Sequence, residues 1–194
     1  MKEVVFHYDF SSPYAYLGAT QIERVAAQAG ARVVWRPILV GALFNRIGTP
    51  NVPLEQFPAA KRAYMLRDLL HWASHWGVPF RWPSRFPMRT VAPLRLALAV
   101  EAAGGEIATL SQRLFAAYWV EDRDLADPAV LRDFGDLSAI EAPAIKDALR
   151  RNTDEAIAAG VCGVPSFLVR EHLFWGQDRL ALVARALAGW DPPA

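Results

Sequence analysis

The first part of the chain carries two hydrophobic patterns in alternation. Residues 3–10 are rich in β-branched and aromatic side chains and stop at Ser-Ser-Pro, which is typical of a strand that ends in a turn. Ser12 suits the cap of a following helix and Pro13 suits its first position, and apolar residues then recur at helical spacing until Gly30. Residues 32–40 are strand-like again. The pattern predicts a βαβ unit with parallel strands and a right-handed crossover.

The rest of the chain is mostly helical in pattern, with strands only near its end. Residues 48–58 and 77–87 each contain three prolines and show no periodicity, which indicates loops. Asp127-Pro128 and Ala142-Pro143 are typical helix starts. The predicted elements are helices at 59–76, 90–103, 106–119, 127–136 and 141–158, strands at 165–170 and 172–175 around a turn at Glu171, and a helix at 178–187.

The order of these elements predicts the fold class. Together the two flanks supply four strands and two helices in the order βαβ and ββα, which is the content of a thioredoxin-like α/β fold. The helices between the flanks then form a large all-helical insertion. We therefore expect a thioredoxin-like domain made of residues 1–40 and 159–194, and an inserted helical domain made of residues 41–158.

Composition and charge narrow the class of protein. Of the 194 residues 53% are hydrophobic, so the chain has ample material for a core. The formal charge is +1, which gives no general attraction to nucleic acid or to an anionic membrane surface. One cysteine, Cys162, excludes an internal disulfide, a Cys-x-x-Cys pair and a thiolate zinc cage. With no signal-peptide pattern and no apolar run of membrane-spanning length, we expect a cytoplasmic protein.

The turn after the first strand is the first candidate for chemistry. In thioredoxin-like folds the reactive group lies there, because free N–H groups and the positive end of the helix dipole stabilise a thiolate. Here the turn holds Ser11, Ser12, Pro13 and Tyr14, with no cysteine. The chain cannot supply a thiolate at this place, but a hydroxyl can donate a hydrogen bond to a thiolate carried by a ligand. The alternative is that Ser12 is only a helix cap.

A second candidate is the segment Gly163-Val164-Pro165-Ser166, in which a proline begins a strand that faces this turn. A cis peptide bond before Pro165 would leave the N–H and the carbonyl of Val164 free to pair with an extended, peptide-like ligand. The dipeptide on its own is a weak signal.

Three motifs occur in order along the chain: residues 8–17 (YDFSSPYAYL), 163–166 (GVPS) and 174–180 (FWGQDRL). With them, the chain resembles the 2-hydroxychromene-2-carboxylate isomerases, glutathione-dependent relatives of the kappa-class glutathione transferases and of DsbA-type thioredoxin folds. The resemblance extends over nearly the whole chain. The middle region adds matching positions at Asn51, Pro53, Lys61, Tyr64, Asp68, Trp72-Ala73, Gly77, Pro79 and the stretch 119–131.

The resemblance implies a glutathione site and no metal. Ser12 matches the catalytic serine that holds the glutathione sulfur as a thiolate, although Ser11 stands where relatives are usually apolar, so either hydroxyl could face the sulfur. The other implied glutathione contacts are Val164 and Pro165 for the cysteinyl part, Gln177 and Asp178 for the γ-glutamyl end, Asn51 in the proline-rich loop, and Lys61 for the glycyl carboxylate. Gln177 replaces a smaller residue of the family, Asp178 would also suit a helix cap, and Lys61 would also suit a solvated helix face.

The implied activity is the isomerisation of an aromatic, carboxylate-bearing conjugated ketone in aromatic hydrocarbon catabolism, with glutathione as a recycled nucleophile. A homodimer is implied as well. The alternatives are a kappa-like transferase that consumes glutathione, a DsbA-type oxidoreductase, which the missing cysteine disfavours, and a non-catalytic glutathione-binding module.

Several further residues have weaker signals. Arg85 and Arg89 could meet a substrate carboxylate, but loop arginines are mostly solvated. Trp119 and Trp175 could line an aromatic pocket between the domains. Cys162 is expected to be a small buried residue rather than a reactive thiol. His71 and His75 have zinc-binding spacing, but no third ligand is evident.

Overall fold

The computed structural model describes residues 2–193 and contains one four-stranded mixed sheet. Its strands are β1 (Lys2–Tyr8), β2 (Ala31–Pro37), β3 (Ser166–Val169) and β4 (His172–Trp175), in the order β2-β1-β3-β4. β1 runs parallel to β2 and antiparallel to β3, and β3 runs antiparallel to β4. This is the predicted α/β arrangement, with every strand drawn from one of the two flanks of the chain.

Eight α-helices accompany the sheet in the described part of the chain, and α2 to α7 all lie between β2 and β3 in sequence. None of the helices within residues 2–193 has the length and apolar character needed to span a bilayer. The helices are α1 (Pro13–Gln28), α2 (Val40–Ile47), α3 (Ala59–Trp76), α4 (Val91–Ala102), α5 (Ile107–Trp119), α6 (Pro128–Leu131), α7 (Pro143–Ala158) and α8 (Leu180–Leu187), with 3₁₀ turns at Pro53–Gln56 and Gln177–Arg179.

Two helical segments differ from the sequence prediction. The helix expected at 127–136 is the single turn α6, in which Leu131 alone is buried, so a longer helix here would have little apolar surface to cover. The strand predicted at 32–40 stops at Pro37. Ile38 and Leu39 connect it to α2, which begins at Val40 and is followed by Gly48 in the left-handed conformation.

Aromatic side chains on one face of the sheet join the two flanks. The ring of Phe6 stacks on Tyr8 and on Phe167 of β3, at centroid distances of 5.2 and 5.3 Å, and Trp35 of β2 meets it edge-on at 5.0 Å. Gly18 of α1 lies against this cluster, because a Cβ there would be 3.2 Å from the ring of Phe167. The start of α1 is therefore held directly against the strand that follows Pro165.

The helical insertion is attached to the end of β1 by hydrogen bonds from α5. The Tyr8 hydroxyl lies 2.6 Å from the Ser111 hydroxyl, and the Trp119 indole N–H donates to the carbonyl of Phe10 at 2.9 Å. Trp119 is completely buried. The suggestion that it lines a substrate pocket is therefore wrong, because its ring packs inside the protein and its only polar atom is used to hold the segment before Ser12.

His7 is an unusual member of the core. It lies on the opposite face of β1 from Phe6 and Tyr8, in register with Arg36 and Ser166, and is only 5% exposed. Neither of its ring nitrogens finds a hydrogen-bond partner within residues 2–193. Burial, assisted by the charge of Arg36, lowers the pKa of His7 to about 4, so the imidazole is neutral in the folded protein at pH 7.

Candidate functional site

Ser12 lies at the end of the turn that connects β1 to α1, and its hydroxyl makes two hydrogen bonds. It accepts from the N–H of Ala15 at 3.1 Å, which is the expected helix cap, and it donates to the backbone carbonyl of Val164 at 3.0 Å. The two interpretations of Ser12 made from the sequence are therefore compatible in geometry: the hydroxyl caps α1 and also faces the strand that begins at Pro165. The Ser11 side chain has no hydrogen bond within residues 2–193.

The peptide bond between Val164 and Pro165 is cis, as the sequence suggested. The ring of Pro165 packs toward α1, since a Cβ on Gly18 would be 3.4 Å from it. The carbonyl of Val164 is already occupied by the Ser12 hydroxyl, whereas its N–H has no partner among the described residues. The sequence predicted that both groups would be free, and the structure leaves only the N–H free.

Gln177 and Asp178 form the 3₁₀ turn before α8, and this turn packs against α1. Gly176 has φ of +112°, and a Cβ there would overlap the Oδ1 atom of Asp178, so only glycine fits before this turn. Gln177 is 4% exposed, and its side-chain amide makes no hydrogen bond within residues 2–193. Asp178 is exposed, and its Oδ2 atom lies 3.5 Å from the guanidinium of Arg179.

Two carboxylates from different elements approach the Tyr14 side chain near the start of α1. Burial raises the pKa of Tyr14 to about 12, and the nearby charges of Asp68 in α3 and Asp178 act in the same direction. The phenol is therefore a neutral hydrogen-bond donor at pH 7. Asp68 has no basic partner among the described residues, whereas Asp178 has Arg179 beside it. From the sequence, Asp68 is only a matching position, and its place near Tyr14 is not predicted.

Asn51 lies in the loop between α2 and α3, and Lys61 lies in the first turn of α3. Asn51 is exposed and its Oδ1 atom lies on the Gly41 side of the loop, 3.9 Å from where a Cβ of that glycine would be. Lys61 is at the start of α3 with its Nζ atom 3.8 Å from the centre of the Phe57 ring. No hydrogen bond within residues 2–193 links either side chain to Ser12, Val164 or Asp178.

Cys162 and Trp175 lie next to Gly163, near the start of β3. Cys162 is exposed, so the expectation of a buried cysteine is wrong. The reason is the close packing at the next residue: a Cβ on Gly163 would be 2.7 Å from the indole Nε1 of Trp175, so the indole covers the glycine backbone and leaves the cysteine outside. Trp175 itself is 57% exposed.

A cavity of about 190 Å³ lies between the loop before α4 and the segment after α5. Its charged groups are largely paired with one another, because Arg85 contacts Asp124 and Arg81 contacts Asp122. Arg89 is exposed and has no carboxylate partner in the part of the chain that the structure describes. Of the two loop arginines considered from the sequence, Arg89 is thus the one with an uncommitted charge. The cavity is lined by Ser84, Arg85, Tyr118, Asp122, Arg123 and Asp124.

Comparison with known proteins gives consistent matches over nearly the whole chain. A family model described as a DSBA-like thioredoxin domain matches residues 3–188. Glutathione S-transferase kappa 2 of Caenorhabditis elegans is 28% identical over 209 residues, which cover 96% of this chain and 92% of that protein. The 2-hydroxychromene-2-carboxylate isomerase of Pseudomonas putida is 27% identical over 193 residues, which cover 95% of this chain and 93% of that protein. A solved structure of a 2-hydroxychromene-2-carboxylate isomerase matches with a TM-score of 0.75 at 25% identity, covering 95% of this chain and 94% of that one.

Proposed function

Because the chain belongs to the family of DsbA-like thioredoxin domains, we propose that it is a glutathione-dependent isomerase that interconverts 2-hydroxychromene-2-carboxylate and trans-o-hydroxybenzylidenepyruvate. The observation that carries the proposal is the 3.0 Å contact between the Ser12 hydroxyl and the Val164 carbonyl, in a turn without cysteine. Such a turn is suited to a thiolate that arrives with a ligand rather than one that belongs to the chain. The relatives named as isomerase and as kappa transferase support the same class of chemistry.

Ser12 and Val164 provide complementary groups for the cysteinyl part of glutathione. Ser12 would turn its hydroxyl hydrogen from the Val164 carbonyl toward the sulfur, while its oxygen keeps the hydrogen bond from the Ala15 N–H. That rotation frees the Val164 carbonyl to accept an N–H from the ligand, and the unpartnered Val164 N–H donates to a ligand carbonyl. One hydrogen bond inside the protein is therefore exchanged for three with the ligand.

The remaining residues suit the two ends of glutathione. Asp178 would hold the γ-glutamyl ammonium group, and the Gln177 amide beside it makes no hydrogen bond within residues 2–193. Lys61 would hold the glycyl carboxylate, with Asn51 in the loop before α3 as a further contact.

When bound, glutathione supplies a thiolate that adds reversibly to the conjugated carbon of the substrate, so that the double bond becomes single and can rotate before the thiolate leaves. Ser12 stabilises the thiolate by donating a hydrogen bond, and the free N–H groups at the start of α1 add a positive field. Tyr14 stays protonated and adds no negative charge near the sulfur. The substrate is a small aromatic carboxylate, for which Arg89 offers an uncommitted positive charge.

The test is a turnover assay on 2-hydroxychromene-2-carboxylate, followed by absorbance with and without glutathione. An isomerase needs glutathione but leaves its concentration unchanged, whereas a kappa-like transferase consumes one molecule for each product formed. Glutathione-independent turnover, or stoichiometric loss of glutathione, would overturn the proposal. A parallel assay for disulfide reduction is expected to show no activity, because the turn holds no cysteine.

Replacing Asp178 by asparagine is expected to weaken glutathione binding about tenfold, with kcat at saturating glutathione nearly unchanged. The loss corresponds to about 1.5 kcal/mol, the lower end of the range for a hydrogen bond to a charged group, because the side chain is 40% exposed. Calorimetric titration with glutathione measures the change. Asp147→Asn, on the exposed face of α7, is the control and should bind like the wild type. An equal dissociation constant for Asp178→Asn would mean that the γ-glutamyl end is held elsewhere.

Replacing Cys162 by alanine is expected to keep at least about half of the activity, because substitution of an exposed side chain removes little packing. The variant should still require added glutathione. The measurement is the initial rate of both proteins after exhaustive removal of glutathione and again after its addition. If the wild type turned over without glutathione and Cys162→Ala abolished that turnover, Cys162 would be the nucleophile.

A further inference from the structure

Asp9 is a completely buried carboxylate three residues before Ser12. Its Oδ1 atom accepts from the N–H of Ser11 at 3.0 Å, and its Oδ2 atom accepts from the N–H of Val40 at 2.9 Å and from the Thr90 hydroxyl at 3.1 Å. These three donors lie in the turn before α1, at the first residue of α2 and directly before α4. One side chain thus joins the turn that carries Ser12 to two separate points of the helical region.

The backbone of Asp9 acts on the same turn. Its carbonyl accepts from the N–H of Ser12 at 3.1 Å, so both the main chain and the side chain of Asp9 hold the two serines. The flanking residues are anchored to α5 through Tyr8 and Phe10. Tyr8 and Phe10 thus bond to α5, whereas Asp9 bonds directly to the backbone N–H groups of Ser11 and Ser12.

We propose that Asp9 is a positioning residue for Ser12: its ionised carboxylate holds the turn before α1 against the starts of α2 and α4, and so aims the Ser12 hydroxyl. A charged acceptor makes stronger hydrogen bonds than a neutral one. A proton on Oδ1 would displace the Ser11 N–H, and a proton on Oδ2 would force the Thr90 hydroxyl to reverse. Protonation of Asp9 therefore loosens the turn that carries the serine.

The charge of Asp9 changes in an accessible pH range. Burial raises the pKa of Asp9 to about 6, although the hydrogen bonds from Ser11, Val40 and Thr90 act in the opposite direction. The titratable groups that feel its charge are the phenols of Tyr8 in β1 and Tyr118 in α5. Burial raises the pKa of both phenols, so they stay neutral while Asp9 titrates.

The first test uses the unliganded protein and does not depend on the proposed function. In a series of ¹H–¹⁵N spectra between pH 5 and 8, the amide signals of Ser11, Ser12 and Val40 are expected to shift together with one midpoint near pH 6. The shift should be absent in Asp9→Asn. In Thr90→Val, which keeps the carboxylate but removes one hydrogen bond to it, the midpoint should move to higher pH. Amide signals of Ser11 and Ser12 that do not titrate would overturn the proposal.

The second test measures the consequence for the ligand and rests on the proposed glutathione site. S-methylglutathione is the probe, because it has no thiol and no group of its own that titrates in this range. Its affinity for the wild type is expected to rise about tenfold as the pH rises through 6. A tenfold change is the size expected when one hydrogen bond to a charged group is gained, and here that bond is the one from the Ser11 N–H to the ionised Asp9. Asp9→Asn should bind weakly and independently of pH, and the control Asp136→Asn should behave like the wild type.

The outcomes separate the two proposals. Absence of S-methylglutathione binding at every pH would overturn the proposed function and leave the amide titration to decide the role of Asp9. Binding whose affinity does not vary with pH in the wild type would overturn the positioning role even if the glutathione site is correct. Should Asp9→Asn fail to fold, the direction of the midpoint shift in Thr90→Val decides the same question.

Discussion

Replacing Ser12 by alanine is expected to lower kcat/KM of the glutathione-dependent reaction by about 100- to 1000-fold, the usual effect of removing one preorganised donor to a developing or bound anion. The Ser12 hydroxyl is the group that the structure places between the start of α1 and Val164, where it caps the helix and donates to the Val164 carbonyl. The thiol pKa of bound glutathione should rise in the variant, and the thiolate absorbance of the complex near neutral pH should fall.

Ser11→Ala is the matched control, since the Ser11 hydroxyl has no hydrogen bond within residues 2–193. Its activity and its bound-thiolate absorbance are expected to stay near those of the wild type. Ser12→Ala should also lose about 1 kcal/mol in the free energy of unfolding, because the cap of α1 is removed. Wild-type turnover by a folded Ser12→Ala protein, with activity lost in Ser11→Ala, would transfer the role to Ser11.

His7→Leu is expected to make the fold markedly less sensitive to acid. The pKa of His7 is about 4 in the folded protein and about 6.5 when it is unfolded, so the unfolded chain binds a proton more readily than the folded one. The stability that comes from a neutral His7 is therefore fully present above pH 6.5 and is lost as the pH falls toward 4. The difference in pKa corresponds to about 3 kcal/mol in the free energy of unfolding.

Urea denaturation of His7→Leu and of the wild type, at several pH values from 7.5 to 4, measures this effect. Asp9 works in the opposite direction, because its raised pKa makes the folded state bind a proton more readily than the unfolded chain. Both proteins contain Asp9, so the difference between their free energies of unfolding at each pH does not include its contribution. The stability advantage of His7→Leu should grow by about 3 kcal/mol from pH 7 to pH 4. A constant difference for His7→Leu would mean that burial does not lower the pKa of the imidazole in the fold.

The parts of the fold that were predicted from the sequence are those with local signals. The run of β-branched and aromatic residues in β1, the Ser12-Pro13 start of α1 and the hairpin around Glu171 each combine a hydrophobic period with its own stop residues. The same local signals, together with the family motifs, brought Ser12 and Val164 forward, and the structure places these two residues in contact. The catalytic and binding roles assigned to them stay predictions.

The features that the sequence did not predict depend on distant residues. α2 has no side-chain cap, and nothing local distinguishes its first residues from the end of a strand. Cys162 was expected inside because cysteines usually are, but the Trp175 indole takes the place above Gly163. Asp68 of α3 and Asp178 both influence the Tyr14 phenol because α3 and the turn before α8 each pack against α1, and no spacing in the sequence predicts that packing.

Ser12 and Val164 are 152 positions apart, and this separation sets when the site can exist during protein synthesis. A ribosome that adds about 5–20 residues per second takes roughly 8–30 s between these two codons. Throughout that time the nascent chain has its first helix and serine but lacks the carbonyl that orients the hydroxyl. The proposed thiol-ligand site is therefore completed late in synthesis, only after β3 has paired with β1 and brought the Val164 carbonyl to Ser12.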